Sequence, residues 1–75
     1  MSGARDRGGV PVTVNGDDHV VAPGTTVAVL VGDLGLEPRG IAVAVGGEVV
    51  TRSAWDERPL AAGDQVEVLT IAQGG

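Results

Sequence analysis

Cysteine is absent from the 75 residues, which removes disulfides, thiolate metal sites and a thiol nucleophile from consideration. Any sulfur handled by this chain is therefore carried by something other than a side-chain thiol. The lack of cysteine suits a reducing cytoplasm. Aromatic residues are almost missing as well: Trp55 is the single ring, so bases would find no stacking platform. Five basic residues stand against ten acidic ones, and the net charge of −5 repels phosphate backbones. These shortages exclude nucleic acid as the main ligand and point to a protein partner with a basic face. No apolar run nears the roughly 20 residues of a membrane-spanning helix, and the first residues lack a secretory apolar core. A cytoplasmic protein, monomeric when free and bound to no membrane, is the expectation.

Catalytic constellations are missing too. His19 has neither a second histidine nor a cysteine to share a metal with, and reads as a surface residue on a strand. Asp17 with Asp18, and Asp56 with Glu57, fit turns and caps. Ser53 reads as a helix cap, and Gly46-Gly47 lacks the Lys-Ser/Thr that completes a phosphate loop. The chain offers no self-contained catalytic or metal site and no bound cofactor, which makes it a protein substrate or carrier rather than an enzyme.

What is present is alternation and punctuation in a length that holds one small domain. Residues 1–9 are polar and aperiodic, and are expected to be a disordered extension. From Val10, valines at 10, 12 and 14 alternate with Pro11 and Thr13, as in a half-buried strand. Pro11 suits the strand's start or a sheet edge. Asn15-Gly16 is a strong hairpin signal, returning through His19 to Ala22. Pro23-Gly24 breaks that strand, and Thr25 or Thr26 is placed to cap a helix. Val27, Leu30, Val31 and Leu34 make one apolar helical stripe of about two and a half turns, ended by Gly35. Ile41 to Val45 alternates again, Gly46-Gly47 turns into Glu48-Val49-Val50, and Ser53 to Glu57 makes one helical turn stopped at Pro59. Trp55 and Leu60 are expected to seal the core's open end. The last strand, Gln65 to Ile71, directs Val66 and Val68 inward and Glu67, Leu69 and Ile71 outward.

This order, β, β, α, β, a short strand, one helical turn, β, predicts an α+β domain: a mixed four- to five-stranded sheet with the main helix across one face. The other face is left to solvent. There Thr13, Ala42, Ala44, Leu69 and Ile71 form a candidate partner-binding surface, next to a tail of Gln73, Gly74 and Gly75. Two residues without a Cβ make a thin peptide ending in a free carboxylate, suited to a narrow channel.

With the elements in this order the chain resembles the ubiquitin-like β-grasp sulfur carriers of the ThiS family. The resemblance lies in Val12-Thr-Val-Asn-Gly16, Gly24-Thr-Thr-Val27 with Leu30, Ile41-Ala-Val-Ala-Val45, Glu48-Val-Val50 with Arg52 and Trp55, Gly63-Asp64 with Val66 and Val68, and Gly74-Gly75. It spans Val10 to Gly75. Val31, Gly46 and Thr51 depart from the usual leucine, asparagine and proline, all at structural positions. The resemblance implies a role in making the thiazole of thiamine. A ThiF- or E1-like adenylyltransferase would use Mg-ATP to adenylate Gly75. A persulfide donor or cysteine desulfurase would convert it to a thiocarboxylate, and a ThiG-type thiazole synthase would take the sulfur. Three other readings share the fold: a molybdopterin-synthase small-subunit type of carrier, a ubiquitin-like modifier, and a plain β-grasp binding module.

Overall fold

A computed structural model describes residues 8–71. The sequence pattern becomes β1 (Val10–Val14), β2 (Asp17–Val21), α1 (Val27–Asp33), a 3-10 turn (Pro38–Gly40), β3 (Ile41–Val45), β4 (Glu48–Val50), a 3-10 helix (Arg52–Glu57) and β5 (Gln65–Thr70). Among the described residues the sheet has five strands in the order β2-β1-β5-β3-β4. Only the β1–β5 pair is parallel. This is the mixed β-grasp sheet that the sequence predicts, with five strands rather than four.

Both hairpins close through two residues of positive φ, Asn15 and Gly16 at 52° and 88°, Gly46 and Gly47 at 61° and 84°. Such turns match the right-handed twist of the strands they join. They fix the register at Val14 opposite Asp17 and Val45 opposite Glu48. Pro11 stands on an interior strand, not an edge. Odd residues of β1 bond toward β5, as the Thr13 N–H to Asp64 carbonyl bond shows, and Pro11 itself accepts from the Gly63 N–H at 2.8 Å. Its missing donor falls ahead of β5's first residue and breaks no ladder.

The helix is shorter than the apolar stripe suggests: seven residues, about two turns, with Leu34 as its C-cap. Thr26 is the N-cap, its hydroxyl accepting from the Val29 N–H at 3.3 Å. Gly35, at φ 71°, gives its N–H to Gly32 and Leu36 gives its N–H to Val31. That pair of bonds is a Schellman close, which ends the helix before Leu34 can join it. Thr25 is buried instead and serves as a splice: its carbonyl accepts from Leu60, while Val27 donates to Arg58. Ser53 caps nothing. It lies inside the 3-10 helix, whose N-cap is Thr51.

The core lies between α1 and the sheet, built from Val12, Val14, Val27, Leu30, Val31, Val43, Val45, Trp55, Leu60 and Val66. Trp55 and Leu60 close its end as expected, and the indole N–H is satisfied by the Val50 carbonyl at 2.9 Å.

A contact with no sequence signal joins the first turn to the last strand. β1 ends at Val14, so the far half of β5 would lack a neighbour on that side. The Asn15 side chain supplies one, accepting from the Val68 N–H at 2.8 Å and donating to the Val68 carbonyl at 3.3 Å. Asn15→Gly keeps the turn but removes this clamp. It is expected to lower stability by about 1–2 kcal/mol and to speed exchange of the Val68 amide, read by urea unfolding and hydrogen exchange. Asn15→Ala adds backbone strain and should cost about 1 kcal/mol more.

Candidate functional site

The site expected from sequence has two parts, a tail and the sheet face beside it. Gln73, Gly74 and Gly75 lie outside the described residues. What the structure fixes is the tail's foot. β5 pairs with β3 from Val66 opposite Val45 to Thr70 opposite Ile41, and the Ile71 N–H donates to the Gly40 carbonyl at 2.8 Å. On its other side β5 is held by Asn15 at Val68. The backbone is thus anchored up to the last described residue, and Ile71 leaves the sheet next to Gly40.

The uncovered face carries Leu69 at 60% exposure and Ile71 at 43%. Ala42 is half-buried and sits directly across from Leu69. Ala44 departs from expectation, being 8% exposed. It is on the outer face, but its neighbours across the strands are Glu67 on β5 and Val49 on β4. A methyl group set between two longer side chains is covered by them, so Ala44 underlies the surface rather than presenting it. Val49, at 69% exposure, takes its place. Alternation in Glu48-Val49-Val50 held that information: with Val50 directed inward, Val49 is outward.

Thr13 is half-buried on the same face, in a cleft of about 600 Å³ that Gln65, Glu67 and Leu69 also line. The apolar surface is therefore Leu69, Ile71, Val49 and the edge of Ala42, with the Glu67 carboxylate among them. A small apolar patch with an acidic neighbour suits a partner surface that is greasy at its centre and basic at its rim.

Other candidates resolve as structure. His19 is half-buried on β2 opposite Val12. No group of three metal-ligating side chains occurs among the described residues, and no helix there is long and apolar enough to cross a membrane. Asp17 and Asp18 begin β2, while Asp56 and Glu57 close the 3-10 helix. Asp64 turns the chain into β5, accepting from the Ala61 N–H at 2.8 Å.

The model of the ThiS family matches residues 9–75, up to and including Gly75. The chain belongs to the ThiS family. Among solved structures it is similar to thiamine biosynthesis protein ThiS from Geobacter metallireducens, with a TM-score of 0.78 and 33% identity over 88% of this chain and 100% of that one. Among curated proteins it is 30% identical over 64 residues to a thiazole synthase of Paramagnetospirillum magneticum, which covers 85% of this chain. The chain spans about a fifth of that relative's length (20%). The ThiS likeness embraces the whole β-grasp sheet and its helix, so the face and the tail's foot belong to the family framework.

Unequal exposure on one face gives a direct check by urea unfolding. Leu69→Ser should change stability by less than about 0.5 kcal/mol, whereas Ala44→Leu, which forces bulk beneath Val49 and Glu67, should destabilise by about 1–3 kcal/mol.

Proposed function

We propose that this chain is a sulfur carrier for assembly of the thiamine thiazole, and that its reactive group is the carboxyl of Gly75. The observation that carries the reading is the family match that runs through Gly75, joined to a foot anchored at Ile71 beside an exposed apolar face.

The chemistry follows from the carboxylate. An α-carboxyl with a reference pKa near 3.5 is ionised at neutral pH and resists nucleophiles. An adenylating partner of the ThiF or E1-like type overcomes this with Mg-ATP as its own substrate: the carboxylate oxygen attacks the α-phosphorus, pyrophosphate leaves, and an acyl adenylate forms. A persulfide sulfur, from a donor such as a cysteine desulfurase, attacks the acyl carbon and AMP leaves. A second thiol cleaves the resulting S–S bond, the sulfur keeps its electron pair, and a thiocarboxylate remains on Gly75. The carrier performs none of these steps and is not an enzyme. It delivers the acyl group and supplies the surface by which partners recognise it. Cysteine-free composition suits this role in a reducing cytoplasm, since no side-chain thiol competes for the persulfide.

Gly74 and Gln73 give access. A Cβ at position 74 would widen the peptide inside a water-excluding channel. Leu69, Ile71 and Ala42, with Val49, supply the docking face, and Ala44 supports them from below. Thiazole synthase is favoured as the acceptor over a molybdopterin enzyme, because a protein of that name holds within its own chain a segment similar to this one.

Two outcomes test the reading. Incubation with ATP, the adenylating enzyme and a persulfide source should give an intact-mass gain equal to exchanging one oxygen for sulfur, mapped to Gly75. An unchanged mass overturns it. Gly74→Val should keep the wild-type melting temperature and lose adenylation by at least about 100-fold, the scale of loss when a reacting group is misplaced. Normal turnover of that variant would sink the access argument.

A further inference from the structure

The described residues hold three basic side chains, Arg39, Arg52 and Arg58. Arg58 is engaged, 3.5 Å from the Asp64 carboxylate and donating to the Pro59 carbonyl. That is the one ion pair among the described residues. Arg39 and Arg52 are exposed, and they line a single cleft of about 570 Å³ together with Glu37 and Gly40. On a chain of net charge −5, two cations that form no ion pair among the described residues share one depression with a single carboxylate, Glu37.

Its place is specific. Arg39 precedes Gly40, whose carbonyl receives the Ile71 N–H. Arg52 follows β4. It opens the 3-10 helix and lines the same cleft as Gly40, the residue that holds Ile71. The two arginines therefore flank the point where the backbone leaves β5 for the tail. Gathering like charges is unfavourable unless an anion offsets it, and the planar fork of a guanidinium matches a carboxylate through two parallel bonds. With the tail drawn out in a channel, the four residues beyond Ile71 would span up to about 14 Å, which would carry a nucleotide at Gly75 beyond the reach of an arginine side chain.

The geometry points to a carboxylate clamp: Arg39 and Arg52 grip an Asp or Glu side chain at the mouth of the enzyme channel that receives the tail. This rests on the carrier reading above. Asp18 and Glu67 make the outer face acidic, so the surface complementary to it is basic, and a basic surface repels both arginines unless it bears an acid opposite them. One acidic group in a basic field then fixes the register in which tail and channel meet, and discriminates against partners without it. Arginine suits the position chemically, since a guanidinium stays protonated and offers a carboxylate two parallel bonds. Glu37, in the same cleft, competes with the incoming carboxylate.

The test measures binding of the carrier to its adenylating enzyme by calorimetry without nucleotide, and KM and kcat by ATP–pyrophosphate exchange. Arg39→Gln and Arg52→Gln should each raise Kd and KM about fivefold at unchanged kcat, and the double variant about 25-fold with a flattened salt dependence. Glu37→Gln should bind about twofold tighter, by removal of a like charge. All three side chains are exposed, so melting temperatures should match the wild type. A double variant that binds like the wild type overturns the clamp, as does a defect confined to kcat. Wild-type protein that binds but supports no exchange overturns the carrier reading and leaves the clamp to be judged on Kd. Wild-type protein that does not bind removes both.

Discussion

Everything in this molecule depends on β5 being an interior strand. It pairs in parallel with β1 and antiparallel with β3, joining two hairpins that otherwise share no hydrogen bonds. Its inward residues, Val66 and Val68, complete the core under α1. Its backbone is occupied on both sides as far as the Asn15 clamp and the Ile71 to Gly40 bond. A strand that holds the domain together also serves as the base of the candidate reactive tail. Position at the foot is set by the same bonds that set the fold.

The helix is the weaker partner in this arrangement. Seven residues, three of them valine, do not form a stable helix alone. It exists because both ends are held. Arg58 and Leu60 bond to its entry at Val27 and Thr25, and Leu36 folds back onto its exit. A shorter-range tie of the same kind joins the Trp55 indole to the Val50 carbonyl, five residues back. Small domains that bury few large side chains rely on such backbone splices to keep elements together.

Much of this was legible in the sequence, and the parts that were not share one cause. Local signals were sufficient for both hairpins, for the inward valines of β1, β3 and β5, and for Trp55 with Leu60. The order of elements, together with the quoted motifs, led to the β-grasp and to the ThiS family. Long-range placement was hidden. Asn15 reads as a turn residue, and nothing nearby reveals a bond to Val68, 53 positions away. Ala44 reads as surface from its alternation, because its cover comes from Val49 and Glu67 on two other strands. Ser53 reads as the cap of a turn that starts at Ala54, yet the turn begins two residues earlier, at Arg52, and Ser53 lies inside it. Periodicity tells which face a residue is on, and only register tells what lies beside it. On the outer face Leu69, Ile71 and Ala42 lie where alternation puts them and Val49 lies on the same face, while their part in docking and the tail's own residues belong to the proposal.

Being central while coming last among the described strands has a consequence for biosynthesis. As the chain emerges from the ribosome, the β1–β2 and β3–β4 hairpins appear first, and two-stranded hairpins in water are marginal. Neither has its hydrogen-bonded neighbour until residues 65 to 70 clear the exit tunnel. Folding is then one late, cooperative event, and a nascent chain interrupted before that strand has no sheet to close. Translation that aborts early yields an open polypeptide for proteases to clear, not a folded domain that displays the outer face without its tail.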